Sequence, residues 1–405
     1  TVLSFILPAL AAADLGVECT IFNVGQGSGA VIRDKHTGTS FIVDAGNSGT
    51  KETISPLLRR FNKTVFGKST ARRRLRGVLL SHSDGDHIKL LTCSLQVNSW
   101  ALKDQNKHAA QRVVVYLGSP FHGYLAGDGE KCLNALIAVN ARIRALSHVM
   151  TQKQVRDKDL TGCMPQPFFM NVLIPEFSAP YRELKTIIMA ANAAHRGVGK
   201  FIGTVDAPGA LDAAMPGWDT ELAGGTNDNG VILKLNYRGR RIVFTGDIDG
   251  KGTDRILVET PEAFRDGFLE TDVLLAAHHG AERERTNNLA WILTTNPSYV
   301  FVSAGERRDY MHPSLSVVFS IASILRLNNG LRVPPHLIQC GDKTEAVVKG
   351  CNKLKAHFES PEDIQEKETE GFKWLQLYTP LPIYTTLTTG DHVVALTAAG
   401  GIVIY

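Results

Sequence analysis

The sequence predicts an α/β fold in which short buried strands alternate with helices and carry Asp or His residues at their ends. Apolar residues make up 43% and charged residues 21% of the 405 residues, as in ordinary globular proteins rather than disordered or fibrous ones. Runs of β-branched and aromatic residues of strand length recur along the chain. The segment 54–66 places Leu57, Leu58 and Phe61 on one face of an amphipathic helix.

The chain opens with a β-meander. Strands are predicted at 17–24, 30–32 and 39–43, and the glycine-rich turn GQGSG at 25–29 joins the first two. Because no helix follows this turn, it is a weak match to a phosphate-binding loop, and the βαβ start of a dinucleotide-binding fold is excluded.

Further elements follow along the chain. Strands are predicted at 77–80, 113–117, 272–276 and 299–303, hairpins at 231–244 and 392–405, helices at 134–149 and 314–327, and an acidic surface loop at 361–370.

The pattern predicts one domain over residues 15–405, which contains a large irregular insertion over 94–225. Residues 150–225 are rich in Gly, Pro and Ala, and the insertion could also bind a protein partner. The apolar segment 1–14 is too short to span a bilayer and is either a trimmed export signal or a first buried segment. Six cysteines without a close CxxC pair predict a reducing compartment, the cytoplasm.

Charge is concentrated in one segment. The net charge of +4 is too small to indicate a nucleic-acid-binding protein by itself. Residues 51–76, however, contain nine basic residues and one acidic residue. This run is either a solvated surface or an attraction site for an anionic substrate, such as nucleic acid or a nucleotide.

Potential metal ligands follow several of the predicted strands. Asp44, His82, Asp247 and His278 each stand at a strand end, where loops from neighbouring strands meet at one sheet edge. The sequence SHSDGDH at 81–87 is the densest signal, because it offers His82, Asp84, Asp86 and His87 within six residues. Such a turn could hold two ions about 3.5–4 Å apart, and the alternative is a polar exposed turn.

The later candidates are individually weaker. Asp247 could bridge two ions or be an ordinary turn aspartate, and either histidine of the adjacent pair His278 and His279 could be a ligand. His312 could be a metal ligand, a general acid, a phosphate contact or a helix-entry histidine, and Arg307 and Arg308 precede it.

The motifs resemble those of metallo-β-lactamase-fold proteins. FNVGQGSGAVI, FIVDAG, LLSHSDGDHI, NDNGVILKLNYRGRRIVFTGD, DVLLAAHHG and VSAGERRDYMHPS occur in the family's order, from about residue 17 to 325. They look most like the hydrolase domain of the bacterial competence (DNA-uptake) channel protein and its free-standing relatives. The block 94–225 is not covered by the resemblance.

The resemblance implies a four-layer αββα sandwich with metals at one edge of its two sheets. Asp44 would support the site, and Asp84 replaces the usual second histidine of the HxHxDH motif. Asp247 would be the bridging aspartate, and His278 or His279 the late ligand. Where a further histidine is usual, the sequence has Asn227, Asp228 and Asn229.

These patterns predict a hydrolase with two divalent ions, Zn²⁺ or Mn²⁺, the carboxylate-rich ligand set favouring the harder ion. Phosphodiester or nucleic-acid hydrolysis is the first choice. The alternatives are hydrolysis of an ester, lactone or amide, and a non-catalytic binding or scaffolding role. The predicted catalytic residues are Asp86 and His312, and the predicted substrate contacts are Asn229, Arg307 and Arg308.

Overall fold

The computed structural model describes residues 15–47, 51–67, 74–118, 124, 126–146, 169–179, 183–191, 204–205, 227, 230–259, 267–282, 286–307, 310–328, 331–341, 364–369 and 372–405. The apolar segment 1–14 lies outside these residues. Across the described part of the chain, no helix combines the length and apolar character that crossing a membrane requires.

The described strands are β1 Leu15–Ile21, β2 Gly29–Asp34, β3 Thr39–Ala45, β4 Arg74–Leu80, β5 Val114–Leu117, β6 Arg142–Ala145, β7 Phe169–Leu173, β8 Leu184–Ala190, β9 Thr204–Val205, β10 Ile232–Tyr237, β11 Arg240–Phe244, β12 Val273–Leu275, β13 Tyr299–Val302, β14 His336–Gly341, β15 Ile364–Thr369, β16 Phe372–Thr379, β17 Ile383–Thr385, β18 His392–Thr397 and β19 Ile402–Ile404. The described helices are α1 Lys51–Phe66, α2 Gly85–Val97, α3 Ser99–Asn106, α4 Gly127–Ala138, α5 Gly250–Glu259, α6 Leu289–Thr295, α7 Leu315–Asn328 and α8 Thr386–Thr389.

These strands form two large sheets and one small sheet. The first large sheet has the order β19-β18-β1-β2-β3-β4-β5-β6-β9, and the second has the order β17-β13-β12-β11-β10-β8-β7. The small sheet has the order β14-β16-β15. Strands β3 to β6 are parallel to one another, and so are β11, β12 and β13. Parallel strands end at a common edge, which gathers the loops that follow them.

The two large sheets pack face to face, with helices on both outer faces. Alternating residues of both sheets, such as Leu79 and Leu233, share one buried cluster between the sheets. The other face of the first sheet packs against α1, α2 and α4 through residues such as Phe61. The other face of the second sheet packs against α5, α6 and α7 through residues such as Trp291. This is the four-layer αββα sandwich.

Part of the block 94–225, which is predicted to contain a large irregular insertion, belongs to this sandwich. Its described residues supply the end of α2, all of α3 and α4, and strands β5 to β9, which pair within both large sheets. The apolar side chains of β5 and α4 lie in the buried clusters, which explains why these segments are ordered. Most of 147–226 lies outside the described residues, and the boundary of an insertion there stays a prediction.

Two local predictions are wrong. The helix expected at 134–149 is helix α4, which covers Gly127–Ala138, followed by strand β6. Asn140, with φ 57°, adopts the left-handed conformation that ends a helix, and the chain then extends to pair with β5. The acidic loop expected at 361–370 contains strand β15, which pairs with β16 in the small sheet.

Candidate metal centre

The predicted ligands meet at one end of the sandwich. His82, Asp86 and His87 come from the segment after β4 and the first turn of α2, in the first sheet's half. Asp247 follows β11, and His279 lies in a short 3-10 turn, Ala277–Gly280, after β12, in the second sheet's half. The cluster therefore spans both halves of the molecule.

Close backbone approach fixes the start of α2 against the end of β3. A Cβ atom on Gly46 would lie 1.4 Å from the Asp86 carbonyl oxygen, so only glycine fits there. Gly27, in the GQGSG turn, has its own Cβ position 2.4 Å from the same oxygen, and the Ser28 N–H donates to it at 3.0 Å. The glycines of the first two motifs thus position Asp86 and His87.

Asp44 contacts residues of the cluster through both carboxylate oxygens. Its Oδ1 accepts the Ser81 N–H at 2.7 Å, and its Oδ2 accepts the Ser81 hydroxyl at 2.7 Å. The same Oδ2 lies 2.9 Å from His87 Nδ1. The contact to Nδ1 leaves His87 Nε2 facing the cluster, which is how a supporting carboxylate orients a metal-binding imidazole.

Asp247 is the common neighbour of the histidines. Its Oδ1 lies 3.0 Å from His87 Nε2, and its Oδ2 lies 3.3 Å from His279 Nε2 and 4.0 Å from His82 Nε2. Asp86 Oδ2 lies 3.6 Å from His279 Nε2. Asp84 is further out, with a half-exposed side chain whose Oδ2 is 3.7 Å from His82 Nε2.

His279 is better placed than His278 to be the late ligand. Its Nδ1 lies 2.7 Å from the Ser303 carbonyl oxygen, so its Nε2 faces Asp247 and Asp86. His278 Nε2 is 3.8 Å from Asp247 Oδ2 and also lies 3.4 Å from the Asn227 side-chain nitrogen. Both histidines have positive φ, 48° and 55°, which indicates a backbone held in place by its surroundings.

The donor set fits divalent metal ions. The Nε2 atoms of His82, His87 and His279 are buried and lack a hydrogen-bond partner of good geometry, which is costly unless something else binds them. Two groups of three have ligand atoms within 4.8 Å of one another: His82, His87 and Asp247, and Asp86, His87 and His279. Imidazole with carboxylate suits Zn²⁺ and, with more oxygen ligands, Mn²⁺.

The charges of the cluster are strongly coupled. Burial would raise the pKa of Asp247, but the His279 and His87 rings outweigh it and hold that pKa well below its usual range. Burial would lower the pKa of His279, but Asp247 and Asp86 raise it to about 10. Burial lowers the pKa of His82. A metal ion at His279 would therefore have to replace a firmly held proton.

A ring of further side chains borders the cluster. The His312 ring centroid is 5.8 Å from that of His278 and 6.5 Å from that of His279. The exposed Tyr310 stacks beside His312 at 5.9 Å, and the Arg307 guanidinium lies over the Tyr310 ring at 4.6 Å. The predicted contacts Asn229 and Arg308 lie outside the described residues.

Sequence reasoning missed the residues that orient the ligands. Ser81 contacts Asp44 and also lies 3.0 Å from His82 Nδ1. In the SHSDGDH motif, however, only the histidines and aspartates were predicted to take part in the site. Ser303 ends the predicted strand 299–303 and Tyr310 lies two residues before His312, but neither was predicted to take part in the site. Ser303 directly follows β13, and strand ends were the signal that could have identified it.

The basic segment 51–76 does not end at this centre. Helix α1 leads from the metal edge of the first sheet towards the opposite edge, where Val65 contacts Ser40 at the start of β3. Strand β4 then begins at Arg74, at that opposite edge, and runs back to Ser81. Seven strand residues separate the two edges, a distance of about 20 Å. The Arg76 backbone therefore lies far from the cluster, and its guanidinium donates a hydrogen bond to the Ala110 carbonyl at 3.0 Å.

Comparisons with known proteins give only distant likenesses. No protein-family model and no curated protein matches the chain. Among solved structures, it is similar to the metallo-β-lactamase fold protein YhfI from Bacillus subtilis, with 12% identity over 76% of this chain and 93% of that one and a TM-score of 0.38. Zn²⁺-bound PqqB from Methylobacterium extorquens is 10% identical over 71% of this chain and 89% of its own, with a TM-score of 0.36. Unliganded yeast PDE1 is 10% identical over 78% and 95%, with a TM-score of 0.35.

The layers and strand order of the chain itself confirm the predicted fold class, an α/β protein with a four-layer αββα sandwich. The closer resemblance to the competence-channel hydrolase stays a prediction.

Proposed function

We propose that this chain is a metal-dependent hydrolase that cleaves phosphodiester bonds with water. The observation that carries the proposal is the pair of ligand groups that share His87, each containing a buried imidazole nitrogen without a well-formed hydrogen bond. Two adjoining metal-binding groups at a strand-end edge are the arrangement that two-metal hydrolases use.

The residues divide into two sets around Asp247. His82, His87 and Asp247, with Asp84 at the rim, would hold one ion. Asp86 and His279 would provide for a second ion beside Asp247, because the one lone pair of His87 Nε2 can bind only one ion. Ions there would supply Lewis acidity, which lowers the pKa of a water molecule and polarises the bond to be broken. Either Zn²⁺ or Mn²⁺ fits these ligands.

The protein's own groups position the substrate and handle its protons. Asp44 and the Ser303 carbonyl hold His87 and His279 in orientation. His312 lies beside both late histidines, where a ring nitrogen can donate a proton or a hydrogen bond to a leaving oxygen. Arg307, exposed and stacked on Tyr310, supplies positive charge to a bound anion.

The Arg307 guanidinium, which stacks on Tyr310 next to His312, favours a phosphodiester over a neutral ester, lactone or amide. Arg307 and His312 offer donors suited to phosphate oxygens, whereas a neutral carbonyl substrate needs no guanidinium. Metal ions in such a centre could hydrolyse either a phosphodiester or a carboxylic ester, lactone or amide. The choice of substrate would therefore depend on the neighbouring Arg307 and His312.

The test measures metal content together with turnover. Protein purified without added metal is analysed for bound ions, and hydrolysis of bis-p-nitrophenyl phosphate and of a chromogenic lactone is followed with and without Mn²⁺ or Zn²⁺. Asp86→Ala should abolish turnover, and Asp104→Asn, at the far edge of the first sheet, should leave it unchanged.

Three results would contradict the proposal. Lactone turnover alone points to the carboxylic-ester alternative, metal binding without any turnover points to a binding or scaffolding role, and failure to bind metal removes its basis.

A further inference from the structure

The small sheet is separate from the two large sheets but contacts the loop that borders the metal centre. Its strand β14 follows α7 in the chain and pairs with β16. At the end of β14, the Gly341 N–H donates to the Pro313 carbonyl at 3.0 Å. A Cβ atom on Gly341 would lie 2.1 Å from the Met311 carbonyl oxygen, so the strand passes directly against the backbone on both sides of His312.

We call residues 305–307 and 310–312 the border segment. Its beginning is held from the first sheet's half, because a Cβ atom on Gly305 would lie 2.2 Å from the Gln26 backbone nitrogen. The Arg307 carbonyl accepts the Tyr310 N–H at 3.1 Å and the Met311 N–H at 2.9 Å. The backbone that carries Arg307 is therefore held on both sides, by the GQGSG turn and by β14.

Two side-chain amides of the small sheet lead to Glu306, the residue before Arg307. Gln339 of β14 and Gln376 of β16 are cross-strand partners, and the Gln376 amide donates to Gln339 Oε1 at 3.2 Å. Gln339 Nε2 in turn donates to Glu306 Oε1 at 2.9 Å. Gln339 is 2% exposed, and a carboxylate can only accept, so burial and the acceptor together fix the orientation of this amide. The small sheet thus holds the Glu306 carboxylate.

The position of Glu306 matters because Arg307 is the cation at the border of the metal centre. In the described part of the chain, Arg307 has no carboxylate within ion-pair distance, and its guanidinium lies over the Tyr310 ring at 4.6 Å. A guanidinium that stacks on a ring keeps its N–H edges for an anion. Glu306 is exposed and adjacent in sequence, and a carboxylate at contact distance would attract that guanidinium.

We propose that Gln339 is a positioning residue, which holds the Glu306 carboxylate on the small sheet and so keeps the Arg307 guanidinium open to an anion. Without this hydrogen bond, Glu306 would pair with Arg307, and the border of the centre would lose positive charge. Gln339 would then set the preference for anionic over neutral substrates, a role that rests on the proposed phosphodiesterase function. The availability of Arg307 does not depend on that function.

The first test measures how fast phenylglyoxal, a reagent for arginine side chains that are not held in ion pairs, modifies Arg307 in metal-free protein. Peptide mass spectrometry follows the reaction at this one residue. Gln339→Met, which keeps the length of the side chain, should slow the modification about threefold, the size expected for an exposed ion pair. Gln339→Glu places a second carboxylate against Glu306 and should slow the modification at least as much.

A double variant separates positioning from a general structural role. Glu306→Gln combined with Gln339→Met should restore the modification rate of the unmodified chain, because a neutral amide cannot form an ion pair with Arg307. If Gln339 served only to stabilise the small sheet, the second substitution would restore nothing.

The second test concerns the choice of substrate and uses metal-loaded protein. Gln339→Met should raise KM for bis-p-nitrophenyl phosphate about threefold and leave kcat nearly unchanged, because the lost interaction is one of binding. KM for a neutral chromogenic lactone should stay the same. The double variant should return the phosphodiester KM to its original value.

The matched control removes a similar amide far from the border segment. The Gln105 side chain donates to the Leu75 carbonyl at 2.7 Å and to the Gln111 carbonyl at 2.8 Å, at the opposite edge of the first sheet. Gln105→Met should change neither the modification of Arg307 nor either KM. Circular dichroism of every variant verifies that its fold is retained.

The proposal is overturned if Arg307 is modified equally fast in the unmodified chain and in both Gln339 variants, or if Glu306→Gln fails to reverse the slowing. Equal changes of KM for the phosphodiester and the lactone would refute the role in substrate choice. Modification rates that follow the expectation in a chain that hydrolyses neither substrate would support the role of Gln339 and contradict the proposed function.

Discussion

A histidine binds a metal through one ring nitrogen, and the hydrogen-bond partner of the other ring nitrogen fixes where the first one faces. In His279 the Nδ1 atom is engaged by the Ser303 carbonyl, and this fixes Nε2 towards two carboxylates. His278 has its Nε2 shared between Asp247 and Asn227. The adjacent histidines therefore have different roles, although the sequence presents them as equivalent.

We expect His279→Ala to remove tight binding of one metal ion, and His278→Ala to weaken metal binding less than tenfold. Calorimetric titration of metal-free protein with Zn²⁺ and Mn²⁺ measures both effects, and each substitution serves as the other's control. Equal losses of metal affinity, or a larger loss in His278→Ala, would show that His279 is not the preferred ligand.

His392 is a buried histidine that is not part of the candidate metal cluster. It packs against Phe301 and Tyr384, its Nε2 lies 2.6 Å from the Thr389 hydroxyl, and burial lowers its pKa to about 4. An unfolded histidine titrates near 6.5. Because the folded pKa is the lower one, the unfolded chain binds the proton first, and stability is lost as pH falls from about 6.5 to about 4.

We expect the unmodified chain to lose roughly 2–3 kcal/mol more stability than His392→Phe between pH 7.5 and pH 4.5, because the shift is about two and a half pH units. Urea unfolding of metal-free protein at the two pH values gives the comparison. Parallel pH dependence in the two proteins would show that His392 titrates normally in the folded state.

Among the elements, the contact between the end of β3 and the first turn of α2 sets the geometry of the candidate centre. The end of β3 passes so close to the first turn of α2 that a methyl group on Gly46 would overlap the Asp86 carbonyl and lie 2.4 Å from the His87 nitrogen. Backbone atoms on both sides leave no flexible side chain to move aside. The ligand-bearing turn must shift if this glycine is replaced.

We expect Gly46→Ala to destabilise the fold by about 1–3 kcal/mol or more and to weaken metal binding as well. Gly127→Ala, where an added methyl meets no atom within 4 Å, should cost only the strain of its positive φ and leave metal binding intact. Thermal unfolding and metal titration of both variants test this. A Gly46→Ala protein with normal metal affinity would show that the contact between β3 and α2 can accommodate a larger residue.

These elements also show which parts of the fold and of the candidate site could be predicted from the sequence alone. Asp44, His82 and Asp247 were predicted to lie together because ligand-type residues at strand ends share an edge, whereas the sequence left open which of His278 and His279 would join them. The helix expected at 134–149 was wrong because local periodicity does not register the left-handed Asn140 or the pairing available from β5. The Ser303 carbonyl was missed because a backbone acceptor has no sequence signature of its own.

At the scale of the whole molecule, the candidate metal centre lies between the two halves of the sandwich. His82, Asp86 and His87 extend from the first sheet's half, and Asp247 and His279 extend from the second. Folding buries these histidines and aspartates together and leaves three imidazole Nε2 atoms without a well-formed hydrogen bond, so a bound ion would satisfy groups from both halves at once.

Metal binding should therefore stabilise the entire chain and not only the loops around the ions. A ligand that binds only the folded state at a hundred times its dissociation constant adds about 2.7 kcal/mol to the free energy of unfolding. We expect the melting temperature to rise with Zn²⁺ or Mn²⁺ concentration and to fall when EDTA is added. Because His279 gives up a proton on binding, the rise should be larger at pH 8 than at pH 6.

Asp86→Ala should reduce the shift in melting temperature. Asp34→Asn, which changes a buried carboxylate at the opposite edge, should lower the starting stability and keep the full shift. A melting temperature indifferent to metal would mean that the halves are joined without ions, and that the clustered histidines do not form a metal centre.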